Sequence, residues 1–214
     1  MLYLIGGGIQ DEGDESFKGS EDLGLDLKYR LTSSLTADIT LNTDFAQVEA
    51  DQEQFNLTRF SLFFPEKRGF FLEGADIFRL GERYREHEPP STLFFFSRRI
   101  GLSEDGEEIP VLGGIRVSGK AGSYDLGILD ILTDRISYIE DNEEVNIEKT
   151  NYSVFRLKRD FLDKSTLGLM LLSKDSLDSP FFNRGAGFDF NLAFGQSLQM
   201  GGFAAKTFSP DLKG

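Results

Sequence analysis

Polarity in this chain alternates residue by residue, and that period constrains the fold more than any other feature. At 23–32, Leu23, Leu25, Leu27, Tyr29 and Leu31 fall on one side, with Gly24, Asp26, Lys28, Arg30 and Thr32 on the other. At 35–45, Leu35, Ala37, Ile39, Leu41 and Phe45 oppose Thr36, Asp38, Thr40, Asn42 and Asp44. Successive side chains of a strand point to opposite faces, so each segment reads as a strand with one apolar and one polar face. The pattern returns in pairs at 111–119 with 122–132, 151–160 with 165–174, and 185–195 with 197–206.

The links between these segments alternate as well. Short turns are expected at 32–34, 119–121, 161–164 and 195–196, and longer polar links at 46–110, 133–150 and 175–184. Up-and-down membrane barrels combine short turns at one end with longer loops at the other. Segments of this length also suit the roughly 9–11 residues of a tilted transmembrane strand. The expected fold is therefore all-β: an antiparallel up-and-down β-barrel of outer-membrane type, incomplete in this chain. A soluble up-and-down barrel or sandwich would show the same alternation, with its apolar face turned inward. The polar faces are rich in Gly, Asn, Asp and Ser beside Lys and Arg, which suits a wet interior.

Composition is consistent with either reading. Mean hydropathy is −0.27 and 39% of residues are apolar, values that a membrane barrel reaches because only one face of each strand must be apolar. No apolar run approaches the roughly 18–20 residues of a spanning helix. Phe is abundant (21) and Trp is absent. Tyr29, Phe45, Tyr124, Tyr152, Phe181, Phe182, Phe203 and Phe208 fall near strand ends, where interfacial aromatics are expected. A net charge of −13 argues against nucleic acid as a partner. The acidic runs at 11–22, 104–108 and 140–144 read as solvated loops. With no cysteine, disulfides, zinc–thiolate sites and cysteine nucleophiles are excluded. The opening MLYLIGGG lacks the layout of a signal peptide.

Residues 46–110 break the pattern. Phe60, Phe63, Phe64, Phe70, Phe71 and Phe78 are interleaved with Glu66, Lys67, Arg68, Glu73 and Asp76. A loop this long and this aromatic must pack onto something. It is expected to fold into the barrel mouth or interior, its charges pairing with inward residues such as Lys28, Arg30 or Arg116. The whole chain, 1–214, then forms one partial barrel domain with 46–110 as an inserted, plug-like segment.

The runs LNTDFAQVEADQEQFNLTRFSLFFPEKRGFFLEGADIFRL at 41–80 and FFSRRIG at 95–101 resemble an uncharacterised family of bacterial outer-membrane barrel proteins. Members of that family often carry an N-terminal domain similar to family 9 carbohydrate-binding modules. The resemblance covers most of the chain from about residue 23 onward. Thr43 and Gly69 stand where the family usually has Pro, and Phe96 stands where it usually has Tyr. The resemblance implies an outer-membrane location and a barrel whose sugar-binding-like domain and closing strands lie outside this chain. The candidate plug or docking motif comprises Phe64, Pro65, Glu66, Lys67, Arg68, Phe70, Phe71, Glu73, Arg98 and Arg99.

Catalytic chemistry is poorly supported. One histidine, His87, cannot make a Ser-His-Asp set or a two-histidine metal site. Glu49 with Asp51, or Glu66 with Glu73, would serve a glycosidase only at a defined separation across a sugar. Ion pairs to Lys67, Arg68, Arg98 and Arg99 are the plainer expectation. Phosphate-loop, dinucleotide and zinc motifs are missing, and no cofactor is expected. The expected function is a structural or transport-type outer-membrane segment. Its partners would be outer-membrane lipid and, beyond that, a polysaccharide or another envelope protein. The alternative is a soluble or surface β-module that binds or hydrolyses polysaccharide.

Overall fold

The computed structural model describes residues 2–9, 18–43, 66–81, 93–103, 107–140, 142–162, 164–195 and 198–210. Eleven strands appear in these stretches: β1 (Leu2–Ile9), β2 (Lys18–Arg30), β3 (Leu35–Thr43), β4 (Val111–Ala121), β5 (Tyr124–Thr133), β6 (Ile136–Glu140), β7 (Glu143–Ile147), β8 (Thr150–Phe161), β9 (Ser165–Ser176), β10 (Phe182–Phe194) and β11 (Leu198–Phe208). Nine of them form one antiparallel sheet in the order β1-β2-β3-β4-β5-β8-β9-β10-β11, and β6-β7 is a separate two-stranded hairpin. Every neighbour in the large sheet is also the next sheet strand in sequence, so the topology is an uninterrupted meander. Among the described residues the sheet is open: β1 and β11 each pair on one side only.

The expected alternation is present. Register puts Leu27 opposite Ile39, Ile39 opposite Ile115, Ile128 opposite Phe155, Phe155 opposite Leu171, and Leu169 opposite Phe188. These residues share one face. Asp38 opposite Arg116, Arg116 opposite Leu129, Leu129 opposite Val154, and Gly168 opposite Asp189 belong to the other. Sequence reading left two elements out. Leu2–Ile9 forms an edge strand, and the polar link after β5 carries the β6-β7 hairpin. The link between β9 and β10 is also shorter than expected, because both strands extend into it.

What sets this sheet apart is which face is covered. The residues of the 46–110 insert that are described lie against the polar face. They form one helical turn, α1 (Gly69–Leu72), and two 3₁₀ turns at Ala75–Phe78 and Ser97–Arg99. Phe71, Phe78, Leu80 and Ile100 from the insert pack with Val111, Leu129, Ile131, Val154 and Met170 from the sheet to make the core. The opposite face is bare. Leu27 is 52% exposed and Phe188 46%, and Leu25, Ile39, Leu41, Ile115, Leu167, Leu169 and Leu171 are exposed as well. The aromatic-end expectation is corrected at two positions. Tyr152 packs against the core, and Phe203 faces the same side as its partner Asp189, so neither lies on the bare face.

Close approach of the insert depends on missing side chains. A Cβ on Gly127 would lie 2.8 Å from Ile77 Cγ2 and 2.8 Å from Phe78 Cε1. One on Gly187 would lie 2.6 Å from Leu80 Cδ2, and one on Gly185 would lie 2.8 Å from Phe94 Cζ. Such glycines weaken a strand in isolation, and here each clears a seat for an insert side chain. Gly127→Val is expected to lift the 75–78 turn off the sheet and cost about 1–3 kcal/mol by overpacking. Limited proteolysis should then cut the insert faster than in the wild type, with the strands still protected. Unchanged cleavage would show that the insert does not rest on this strand.

Candidate functional site

Two arginines of the covered face hold the insert. Arg156 on β8 is 1% exposed. Its Nη1 and Nη2 donate to the two carboxylate oxygens of Asp189 on β10, at 2.5 and 2.8 Å, and its Nε donates to the Ile77 carbonyl at 3.3 Å. Asp189 also accepts from the Gly81 amide at 3.3 Å. The pair spans β9 above Gly168, where any Cβ would collide with both side chains. Arg116 on β4 is 2% exposed. It donates to Asp38 at 2.6 and 3.2 Å, to the Glu73 carbonyl at 2.6 Å, and to the Phe70 carbonyl. Each arginine thus pairs with a sheet carboxylate and also donates to carbonyls of the insert, and Arg116 reaches the Glu73 carboxylate as well, at 3.3 Å. Buried guanidinium groups require a paired carboxylate and further acceptors, because an unpaired one costs several kcal/mol.

The insert is stapled internally by Arg68. Its Nε and Nη2 grip the Glu66 carboxylate, both at 2.8 Å, in the bidentate geometry that favours arginine over lysine. Its other donors reach the Ser97 carbonyl at 2.8 Å and the Ile100 carbonyl at 2.5 Å. Ser97 Oγ donates to Glu66 at 2.7 Å, and the Arg68 guanidinium lies 4.2 Å from the Phe71 ring centroid. Two sequence runs separated by about thirty residues are thereby locked together. Burial disfavours the charged form of Glu66. The hydrogen bonds and charge of Arg68, its backbone amide and Ser97 outweigh that penalty and hold the carboxyl below its ordinary range. Glu73 is also held low, first by its bond to Lys28, against a smaller opposing effect of burial, and then by Arg116.

The structure therefore brings together Glu66, Arg68, Phe70, Phe71 and Glu73 of the candidate motif. Arg98 is buried on the Ser97–Arg99 turn, while Lys67 and Arg99 are exposed. Phe64 and Pro65 lie outside the described residues, as do His87, Glu49 and Asp51. The expected pairing of insert charges with Lys28 and Arg116 is present through Glu73. Ion pairing of Glu73 differs from the plainer expectation, because its partners come from β2 and β4 rather than from the insert's own arginines. Sequence reading missed Arg156 and Asp189 as anchors. Their signal was two charged residues on the polar face of strands otherwise rich in small and apolar residues. Among the described residues, no group of three or more His, Cys, Asp or Glu side chains is arranged to hold a metal.

Breaking the deeper clamp tests its role. Arg156→Met leaves Asp189 charged and buried, which is expected to cost about 3–5 kcal/mol. Adding Asp189→Asn removes that stranded charge and should recover part of the loss in a denaturant titration; a double variant no better than the single would argue against a buried ion pair. The Glu66 staple should be acid-sensitive. Its folded-state pKa is depressed, so its stabilisation is complete above the unfolded value of about 4.3 and is lost as pH falls through the lower folded value. Hydrogen exchange corrected for intrinsic rates should show 66–73 and 97–100 opening below about pH 4 before β8 and β9 do. Glu66→Gln should already be open at neutral pH.

Comparison with curated proteins and with solved structures gives no match. A family model does match, over residues 5–171, a span that runs from within β1 to within β9 and takes in the whole stapled insert. The chain belongs to the family described as a domain of unknown function, DUF5916.

Proposed function

We propose that this chain is part of an outer-membrane β-barrel, with the 46–110 insert folded as a plug against the lumenal wall, and that its role is structural or transport-related rather than catalytic. One observation carries the reading: the sheet buries Arg116, Arg156 and Asp189 beneath the insert and leaves Leu25, Leu27, Ile39, Leu41, Leu169 and Phe188 bare. A soluble sandwich does the reverse, hiding its apolar face. A bare apolar face extending over β2 to β10 far exceeds scattered surface leucines, and lipid is the environment that suits it. The meander supports the same reading, since the links 31–34, 122–123, 162–164 and 195–197 fall at one end and the longer links 44–110, 134–149 and 177–181 at the other. The open edges at β1 and β11 would be closed by further strands of the longer protein.

In this proposal the partners are outer-membrane lipid and, at the loop end, a polysaccharide or another envelope protein. The longer protein would carry the family 9 carbohydrate-binding-like domain. A hydrolytic role for Glu66 and Glu73 is disfavoured by their surroundings. Both are held ionised by cations, so neither is poised as the protonated acid that glycoside cleavage needs.

The full-length protein should fractionate with outer membranes, need detergent for extraction, and migrate faster unheated than boiled on a gel. Recovery as a soluble periplasmic protein without detergent would overturn the proposal.

A further inference from the structure

The bare face is not uniform along its height. Reading across the register, one row runs Val117, Ile128, Phe155, Leu171, Ala186 and Lys206. The next row toward the long-link end runs Ile115, Asp130, Ser153, Ser173, Arg184 and Phe208. Apolar side chains therefore give way to a polar belt within one step of the pleat. At the junction lies a groove of about 420 Å³, lined by Ile128, Phe155, Leu171 and Ala186 below and by Asp130, Ser153, Ser173 and Arg184 above. No described residue of the insert lines it, and the register puts Ile128, Phe155, Leu171 and Ala186 on the bare face. Small residues in register, Ser153 beside Ser173 and Ala186 beside Leu171, make the trough, and Phe208 walls one end.

Arg184 lines this trough, and Lys206 flanks it, opposite Ala186 in the register. Arg184 uses Nε and Nη2 on Asp175, at 3.0 and 2.7 Å. Lys206 is its diagonal neighbour in the register and sits 5.1 Å from the Phe208 ring centroid, with no ion pair among the described residues. The carboxylates of the belt, Asp130 and Asp175, are already engaged, Asp130 by Asn151 and Ser153 and Asp175 by Ser173 and Arg184.

Resting on the membrane reading above, we infer that this groove is a glycolipid site: it seats an acyl chain of a lipid A-type molecule, with Arg184 and Lys206 on its glucosamine phosphate. The occupant follows from three features together. The apolar floor takes hydrocarbon. The paired cations take phosphate, and arginine does so with directed hydrogen bonds. The Asp130–Ser153–Asn151 belt offers the mixed donors and acceptors that sugar hydroxyls use. The belt also lies at the long-link end, which faces the outside in barrels of this type.

The test is native mass spectrometry of the full-length protein in detergent, offered bis-phosphorylated lipid A, dephosphorylated lipid A and phosphatidylglycerol. Wild type should retain the bis-phosphorylated form over the other two. Arg184→Gln with Lys206→Gln should lower that retention about tenfold, the scale of a lost charge-assisted hydrogen bond. Arg159→Gln, a charge change on the same face at the short-turn end, should leave retention intact. Equal retention by the double variant, or of phosphatidylglycerol by the wild type, would overturn the assignment. Heat-modifiable migration, scored on the same samples, separates the two hypotheses: its presence without lipid A preference sinks the site alone, and its absence sinks the barrel reading itself.

Discussion

Everything else in this structure hangs on two guanidinium groups buried against a sheet. Arg116 and Arg156 are long, permanently charged side chains with almost no exposure. Such groups are tolerated only when nearly every donor is used. Each has one carboxylate within the sheet, Asp38 or Asp189, and that is not enough to satisfy the fork. The remaining donors are met by carbonyls of Phe70, Glu73 and Ile77. Those carbonyls are available because α1 and the 75–78 turn are too short to use them in helical bonds. The insert thus completes the sheet's electrostatics, and the sheet supplies the hydrogen bonds the insert cannot make for itself.

This mutual dependence orders the rest of the core. Anchoring Phe70 and Glu73 over Arg116 sets Phe71 against the sheet, and anchoring Ile77 over Arg156 sets Phe78 and Leu80. The glycines of β5 and β10 then become necessary, because the side chains of Ile77, Phe78, Leu80 and Phe94 are held too close for any Cβ. Arg68 adds a second level. By gripping Glu66 and the carbonyls of Ser97 and Ile100, it fixes the return of the chain before it enters β4. An unpaired carboxylate or guanidinium at any of these points would leave a charge buried against apolar neighbours, which makes partial docking of the insert costly.

Strand positions were legible because alternation is a local property. Leu25 and Leu27, or Phe188 and Phe190, announce their face whatever lies above them. The pairing of Glu73 with Lys28 and Arg116 was partly legible, since unlike charges on an insert and an inward face invite pairing. The Arg156–Asp189 clamp was not, because it joins strands separated by β9 and depends on Gly168 having no side chain. Nor did local polarity reveal the β6-β7 hairpin, whose residues Ser137, Glu140, Glu143, Glu144 and Asn146 read as an acidic link. Its apolar face is only Ile136 and Tyr138 across from Ile147 and Val145, too short a run to stand out beside the acidic residues, and it lies outside the main sheet.

The same physics explains why the two faces of the sheet differ so sharply. A face that must bury arginine needs small neighbours for the planar fork and carbonyls above it, hence glycine, serine and threonine at Gly127, Ser118, Thr40 and Gly168. A face with nothing packed on it carries none of those demands. It is free to be mostly apolar, and it is rich in Leu, Ile and Phe until the row of Asp130, Ser153, Ser173 and Arg184. In water, such a face would be driven to associate with any apolar surface at hand. In the proposed membrane setting it needs no cover, and the abrupt change of chemistry at that row marks where hydrocarbon would give way to headgroups. The side chains of the bare face therefore define the depth at which the sheet would sit, while those of the covered face determine what the insert must look like.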